Sequence, residues 1–215
     1  MTNFLHGTFR VGFLAFVALC TLFVGGCNED KDDTAVTAAI LLGLSNTGCS
    51  TCKMFVTNSN ATLNAGISGL DSQCSSDANK PSGGGTYKAM VADGTNRIAC
   101  TTANCGGGTG EHTDWVLKPN KEYRRADGTT VIGTTTANGV FSFPLTAAIQ
   151  TTIVGTNSTA TGLNTNWTSS ANDCANYTTT GAITSNGPHD DTSSNLLSVG
   201  TASCGNTMKI ICVEQ

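Results

Sequence analysis

Met208-Lys209-Ile210-Ile211-Cys212-Val213, at the end of a 215-residue chain, reads as a β-strand, because it is an apolar, β-branched run with a cysteine inside it. Its counterpart is Ser68–Lys80, which reads as a helix with Cys74 near its middle, stopped by Pro81 and the Gly83-Gly84-Gly85 turn. Lys53–Thr57 alternates and supplies a first strand, and Tyr87–Val91 a second. Trp115–Leu117 and Val140–Phe143 are further short apolar strands, each followed by proline within two residues. Between Phe143 and Met208 the chain is largely Thr, Ser, Asn and Gly, with Trp167 as an isolated large anchor. These elements predict an α+β domain of short antiparallel strands, one or two helices and long loops. Such a domain has little core per residue and needs covalent staples.

The other end of the chain reads as a targeting signal. Arg10 is the one charge before an apolar run from Val11 to Val24, which closes on Gly25-Gly26-Cys27 and the acidic stretch Glu29 to Asp33. A charged start, a short apolar core and small residues before a cleavage point make a secretory signal, too short to span a bilayer. A cysteine directly after the glycine pair makes it a bacterial lipoprotein signal, with Cys27 as the acylated N-terminus. Cys20 follows the bulky Leu19 and fits less well, and an ordinary secretory signal is the alternative. The expected organisation is a signal at 1–26, a lipidated tether at 27–48 and one domain at 49–215. Outer-membrane, surface display is expected, although acids at Glu29 and Asp30 beside the anchor leave inner-membrane retention open.

Without the signal, ten basic residues face fifteen acidic ones, a net charge of −5. No basic excess is present to meet a phosphate backbone, so nucleic acid is an unsuitable partner. Beyond Cys20 and Cys27 there remain Cys49, Cys52, Cys74, Cys100, Cys105, Cys174, Cys204 and Cys212. An even number in an exported chain reads as four disulfides, and eight thiols allow 105 connectivities.

Three features carry a resemblance: Gly69-Leu70-Asp71-Ser72-Gln73-Cys74 with the strand Thr86-Tyr87-Lys88-Ala89; Gly139-Val140-Phe141-Ser142-Phe143; and the tail with Asp173-Cys174, Asn195-Leu196-Leu197, Ala202-Ser203-Cys204 and Ile210-Ile211-Cys212-Val213-Glu214. Over residues 66–215 the chain resembles the C-type-lectin-like fold, and within it endostatin. Through Asp114-Trp115-Val116-Leu117-Lys118-Pro119-Asn120, the ending Cys212-Val213-Glu214-Gln215 and the lipid signal, it is similar to the endostatin-like surface lipoproteins of leptospires. The resemblance implies nested disulfides, Cys174–Cys204 inside Cys74–Cys212. Cys100–Cys105 is then the local pair, and Cys49–Cys52 is left.

Candidate chemistry is sparse. Cys49-Ser50-Thr51-Cys52 has redox-dithiol spacing, but a strand follows it where a redox motif opens a helix, so it reads as structural. The Glu-Pro-Asn, Gln-Pro-Asp and Trp-Asn-Asp signatures of calcium-dependent sugar sites are missing from the sequence, and so is endostatin's N-terminal zinc-binding histidine cluster. His189-Asp190-Asp191 reads as a solvated Gly-Pro turn rather than a cation site, and no cofactor is expected. Glu111-His112-Thr113-Asp114 sets a histidine between acids without a recognisable nucleophile, which argues against an enzyme. Lys118, Lys121, Arg124 and Arg125 gather four cations into eight positions, diluted by Glu122 and Asp127; they are the candidate contact for an acidic partner, beside a solvated face as the plainer reading.

The expected function is a surface-displayed binding module. The resemblance implies adhesion to host matrix proteins such as laminin and fibronectin, and capture of plasminogen or complement regulators. The alternatives are a calcium-independent carbohydrate-binding module using exposed aromatics such as Trp167 or Tyr177, and a periplasm-facing structural lipoprotein.

Overall fold

The computed structural model describes residues 48–153 and 155–215. The signal, Cys27 and nearly all of the tether lie outside the described residues. Among the described residues eight strands and one regular helix follow in the order β1 (Cys52–Val56), α1 (Gly66–Ser76), β2 (Tyr87–Ala89), β3 (Glu122–Arg125), β4 (Val131–Thr134), β5 (Ser158–Ala160), β6 (Ile183–Pro188), β7 (Gly200–Ser203) and β8 (Ile211–Glu214). A five-stranded sheet runs β2-β8-β1-β3-β4 and a three-stranded sheet β5-β6-β7. The domain is thus α+β, mostly strand, with two open sheets. The first and last strands are paired antiparallel at the centre of the large sheet, Phe55 opposite Cys212.

Strand alternation explains why that sheet is covered on both faces. Met54, Val56, Ile211 and Val213 point into one core with Trp115, Tyr123, Phe141 and Trp167. Phe55 and Cys212 point the other way, into a second core with Leu70, Cys74, Tyr87 and Met208. A strand buried on both sides reads as a continuous apolar run, which is why Ile210 to Val213 was visible in the sequence.

Several boundaries differ from the sequence reading. The helix ends at Ser76 rather than Lys80, because Asp77 adopts an extended conformation and its carboxylate accepts from the Asn58, Ser59 and Asn79 amides. Trp115–Leu117 is a buried loop held by side-chain hydrogen bonds, the indole donating to Gly139 O at 3.1 Å and Lys118 N to the Tyr123 hydroxyl at 2.8 Å. Val140–Phe143 contributes a lone bridge, Phe141 to Thr135, with Pro144 ending any ladder. Conversely, the polar stretch after Phe143 contains the whole small sheet. Gly162 lets it approach the rest: at φ +61 a Cβ there would lie 2.0 Å from Ala92 O, and the Ala92 amide donates to Thr161 O at 2.8 Å.

Among the described residues four disulfides are formed: Cys49–Cys52, Cys74–Cys212, Cys100–Cys105 and Cys174–Cys204. Cys74–Cys212 joins α1 to β8. Cys174–Cys204 joins β7's end to a turn at Cys174–Tyr177, all of whose residues have positive φ.

Candidate binding site

The four clustered cations do not present one face to a partner. Lys118 Nζ donates to Trp115 O and Lys121 Nζ to Cys49 O at 3.0 Å. Arg124 pairs with Glu122 at 2.6 Å and donates to Gly128 O, while Arg125 Nε donates to Ala148 O at 2.8 Å. A bulge between Tyr123 and Arg124 separates the last two from strict alternation. Each cation clasps a different loop, so these residues read as local fasteners.

Trp167 and Tyr177 are fully buried, which corrects their assignment as sugar-stacking surfaces. Trp167 donates from its indole to Phe141 O at 3.0 Å and packs in a cluster with Trp115, Phe141 and Phe143, the last stacked at an interplanar angle of 12°. An aromatic ring offers a sugar its face only if that face meets water, and here it meets other rings.

The Glu111–Asp114 stretch is dispersed in the same way. Glu111 accepts from the hydroxyls and amides of Thr101 and Thr102 and from the Gly107 amide, shaping the loop closed by Cys100–Cys105. Those hydrogen bonds, the Thr102 hydroxyl first, hold its carboxyl down at about 2. His112 sits between two carbonyls, Ala99 O at 2.5 Å and Asn138 O at 3.0 Å. Asp114 belongs to an ion cluster around Arg97, which is entirely buried. Arg97 forks onto Asp71 of α1 at 2.8 and 2.7 Å, onto Asp114, and onto Ala89 O of β2 at 2.8 Å. Lys88 adds a second cation on Asp114. For Asp114, burial raises the carboxyl but the hydrogen bonds from Lys88 and Arg97 outweigh it, leaving the group below its usual value.

His189 is the main surprise. The sequence suggests a solvated turn, yet the side chain is 1% exposed, and neither ring nitrogen has a hydrogen-bond partner among the described residues. The reason is topological: β6 runs on through Pro188, and the backbone at 189 is pinned by donation from His189 N to Asn157 O and from Gln150 N to His189 O. The neighbouring acids face elsewhere, Asp190 to the Asn157 amide and Asp191 to the Ser193 amide, so no chelating set forms.

His189 lines a cleft of about 330 Å³ at the junction of the two sheets. Lys209 makes that junction. Its backbone exchanges hydrogen bonds with Ser158 and Ala160 of β5, and Ile210 O next to it accepts from Thr57 just past β1. The Lys209 side chain is 5% exposed; its ammonium donates to Asn58 O and forms no ion pair with any described carboxylate. Phe55 and Val56 give the cleft an apolar wall, and Asn79, Gln150, Thr152 and Thr156 a polar uncharged one. A smaller recess of about 190 Å³ adjoins it, sharing Phe55, Ala126, Gln150 and Thr152 and reaching Arg125. The sequence does not single out Lys209, and it offers His189 only as part of a His-Asp-Asp turn weighed against a cation site. The available signal was a lone lysine inside the apolar run Met208 to Val213.

Burial lowers the His189 pKa from its ordinary 6.5; the Asp190 charge and the nearby Asn157 backbone oppose it and Lys209 adds to it, although the Asn157 contact falls short of hydrogen-bond geometry at either ring nitrogen. The ring is therefore neutral in the folded state where the unfolded chain already binds a proton. Stability should be full above pH 6.5 and fall as pH drops below it. Urea midpoints at pH 7.5 and 5.5 should differ in the native chain, and His189→Phe should reduce that difference.

The geometry defines a disulfide-stapled α+β domain with a small, cation-bearing cleft. Residues 56–195 match the family described as Protein of unknown function (DUF1554), and the chain belongs to that family. No curated protein matches it.

Proposed function

We propose that this chain is a lipid-anchored, surface-displayed binding module of C-type-lectin-like, endostatin-like architecture. Its ligands are host matrix or plasma proteins, of the laminin, fibronectin, plasminogen and complement-regulator classes implied by its resemblance to leptospiral surface lipoproteins. One observation carries the reading. The first and last strands pair at the centre of the large sheet, and Cys74–Cys212 encloses Cys174–Cys204, the nested arrangement that the resemblance implies. Such a framework suits an oxidising, extracytoplasmic setting. It also holds both ends of the domain in one sheet. The module acts by binding rather than catalysis, because Glu111, His112 and Asp114 are each committed to separate internal partners.

Protease treatment of intact cells tests the display, with solid-phase binding to laminin and fibronectin alongside. The protein should be removed from intact cells, and adhesion should be lost when its disulfides are reduced. Protection in intact cells with cleavage after lysis would instead mark a periplasm-facing structural lipoprotein.

A further inference from the structure

We propose that the cleft at the sheet junction binds a carboxylate-bearing sugar residue, with the Lys209 ammonium as its anion anchor. This goes beyond the protein-binding reading and does not depend on it.

Two unusual groups lie together in the cleft wall. Lys209 is a nearly buried cation for which the described residues supply a carbonyl but no carboxylate. An ammonium removed from water without a counter-charge is costly, and an ammonium has three donors, of which Asn58 O takes one. His189 beside it is a buried polar ring with no hydrogen-bond partner at either nitrogen among the described residues. Native interiors seldom leave such groups unsatisfied, and when they do the exception needs a function. Both groups line the same cleft, whose volume of about 330 Å³ matches a small ligand rather than a peptide segment.

The rest of the lining narrows the chemistry. A bare inorganic anion would need only the cation, yet this cleft also has an apolar wall from Phe55 and Val56 and a rim of carboxamides and hydroxyls at Asn79, Gln150, Thr152 and Thr156. An apolar face bordered by neutral donors and acceptors matches a pyranose ring, which is flat and apolar on one side and ringed by hydroxyls. One cation in the lining matches one carboxylate, through a charge-assisted hydrogen bond. Asp127, an ionised acid, lines the adjoining recess rather than this cleft, with its carboxylate engaged by Thr129 and Thr130. The arrangement uses no divalent ion, and no group of three ligating acids, histidines or cysteines occurs among the described residues.

Titration of the full-length chain in detergent with sodium glucuronate tests this, read by calorimetry and by the ring NMR signals of isotopically labelled histidine. Glucose supplies the ring without the charge, and acetate the charge without the ring. Glucuronate should bind saturably, in the presence of a chelator, and move the His189 ring signals. Glucose and acetate should each bind at least about tenfold more weakly. Lys209→Met should abolish binding. Because Lys209 also sits between the sheets, Thr152→Tyr provides a second variant at an exposed rim position, filling the mouth without touching the core. Equal binding of acetate and glucuronate would overturn the sugar assignment. Absence of binding by the native chain, or binding unchanged in Thr152→Tyr, would overturn the site.

Discussion

Replacing Cys74 and Cys212 together by alanine should lower the unfolding free energy by about 5 kcal/mol, enough to leave much of the chain unfolded at 37 °C. The two cysteines are 138 residues apart, and the chain entropy released by opening so long a loop gives that figure as an upper value. The same relation gives no more than about 2 kcal/mol for the tight loops of Cys49–Cys52 and Cys100–Cys105. Total stabilities of roughly 5–15 kcal/mol leave little after the larger loss. Local structure makes the loss worse. The helix α1 has eleven residues, an internal glycine at 69, no side-chain N-cap, and only Leu70 and Cys74 buried. A helix that short is marginal alone, so the bond to β8 is what keeps it on the sheet. Urea unfolding of the double variant without reductant, with amide exchange along residues 66–76, measures both effects. An unchanged midpoint would show that packing of Leu70 and Tyr87 suffices without the covalent tie.

What could be read from the sequence followed from how each segment is buried. The strands β1 and β8 showed themselves because a strand covered on both faces is apolar throughout, while the pairing of Cys74 with Cys212 came from the family resemblance and not from the cysteine spacing. The small sheet was hidden for the opposite reason. The strands β5, β6 and β7 are built mostly from Ser, Thr, Ala, Asn and Gly; Thr159 and Thr184 are buried with their hydroxyls on backbone acceptors, and Ser185 with its hydroxyl on that of Ser170. A threonine satisfied that way looks, in one dimension, like a threonine in a loop. Trp115–Leu117 misled in the other direction, since an apolar run signals burial whether or not it pairs. The candidate site was the least legible part. Trp167 was singled out for its size and is core for the same reason, while Lys209 and His189 matter because of where the two sheets meet. That junction depends on register, which no local pattern encodes.

Arg97→Met should cost about 3–5 kcal/mol, the usual result of removing one partner from a buried ion cluster and leaving the others desolvated. Arg97 is more central than its place in a short polar turn suggests. Asp93 accepts from the amides of Thr95, Asn96 and Arg97 and so folds the turn; burial raises the Asp93 carboxyl, but these bonds and the Asn96 side chain outweigh it and hold it below its usual value. The turn delivers a guanidinium with no solvent exposure between α1, β2 and the Asp114 loop. Two cations, Arg97 and Lys88, face two acids, Asp71 and Asp114, so the set is neutral and the loss of either charge unbalances it. Arg97→Lys should be nearly as harmful as Met, because one ammonium cannot span Asp71, Asp114 and Ala89 O in the plane that the guanidinium fork provides. A cycle of Arg97→Met with Asp71→Asn should give a coupling above about 1 kcal/mol, since the two are in direct contact. The pH dependence supplies the sign. Asp114 has a lowered folded pKa, so its contribution is present above the ordinary carboxylate range and disappears as pH falls through the folded value. Arg97→Met should therefore flatten the acid limb of the stability curve as well as lower its plateau. A variant as stable as the native chain at pH 7, with the same acid limb, would mean that the apolar packing around Leu70 and Ala89 carries this corner without the charges.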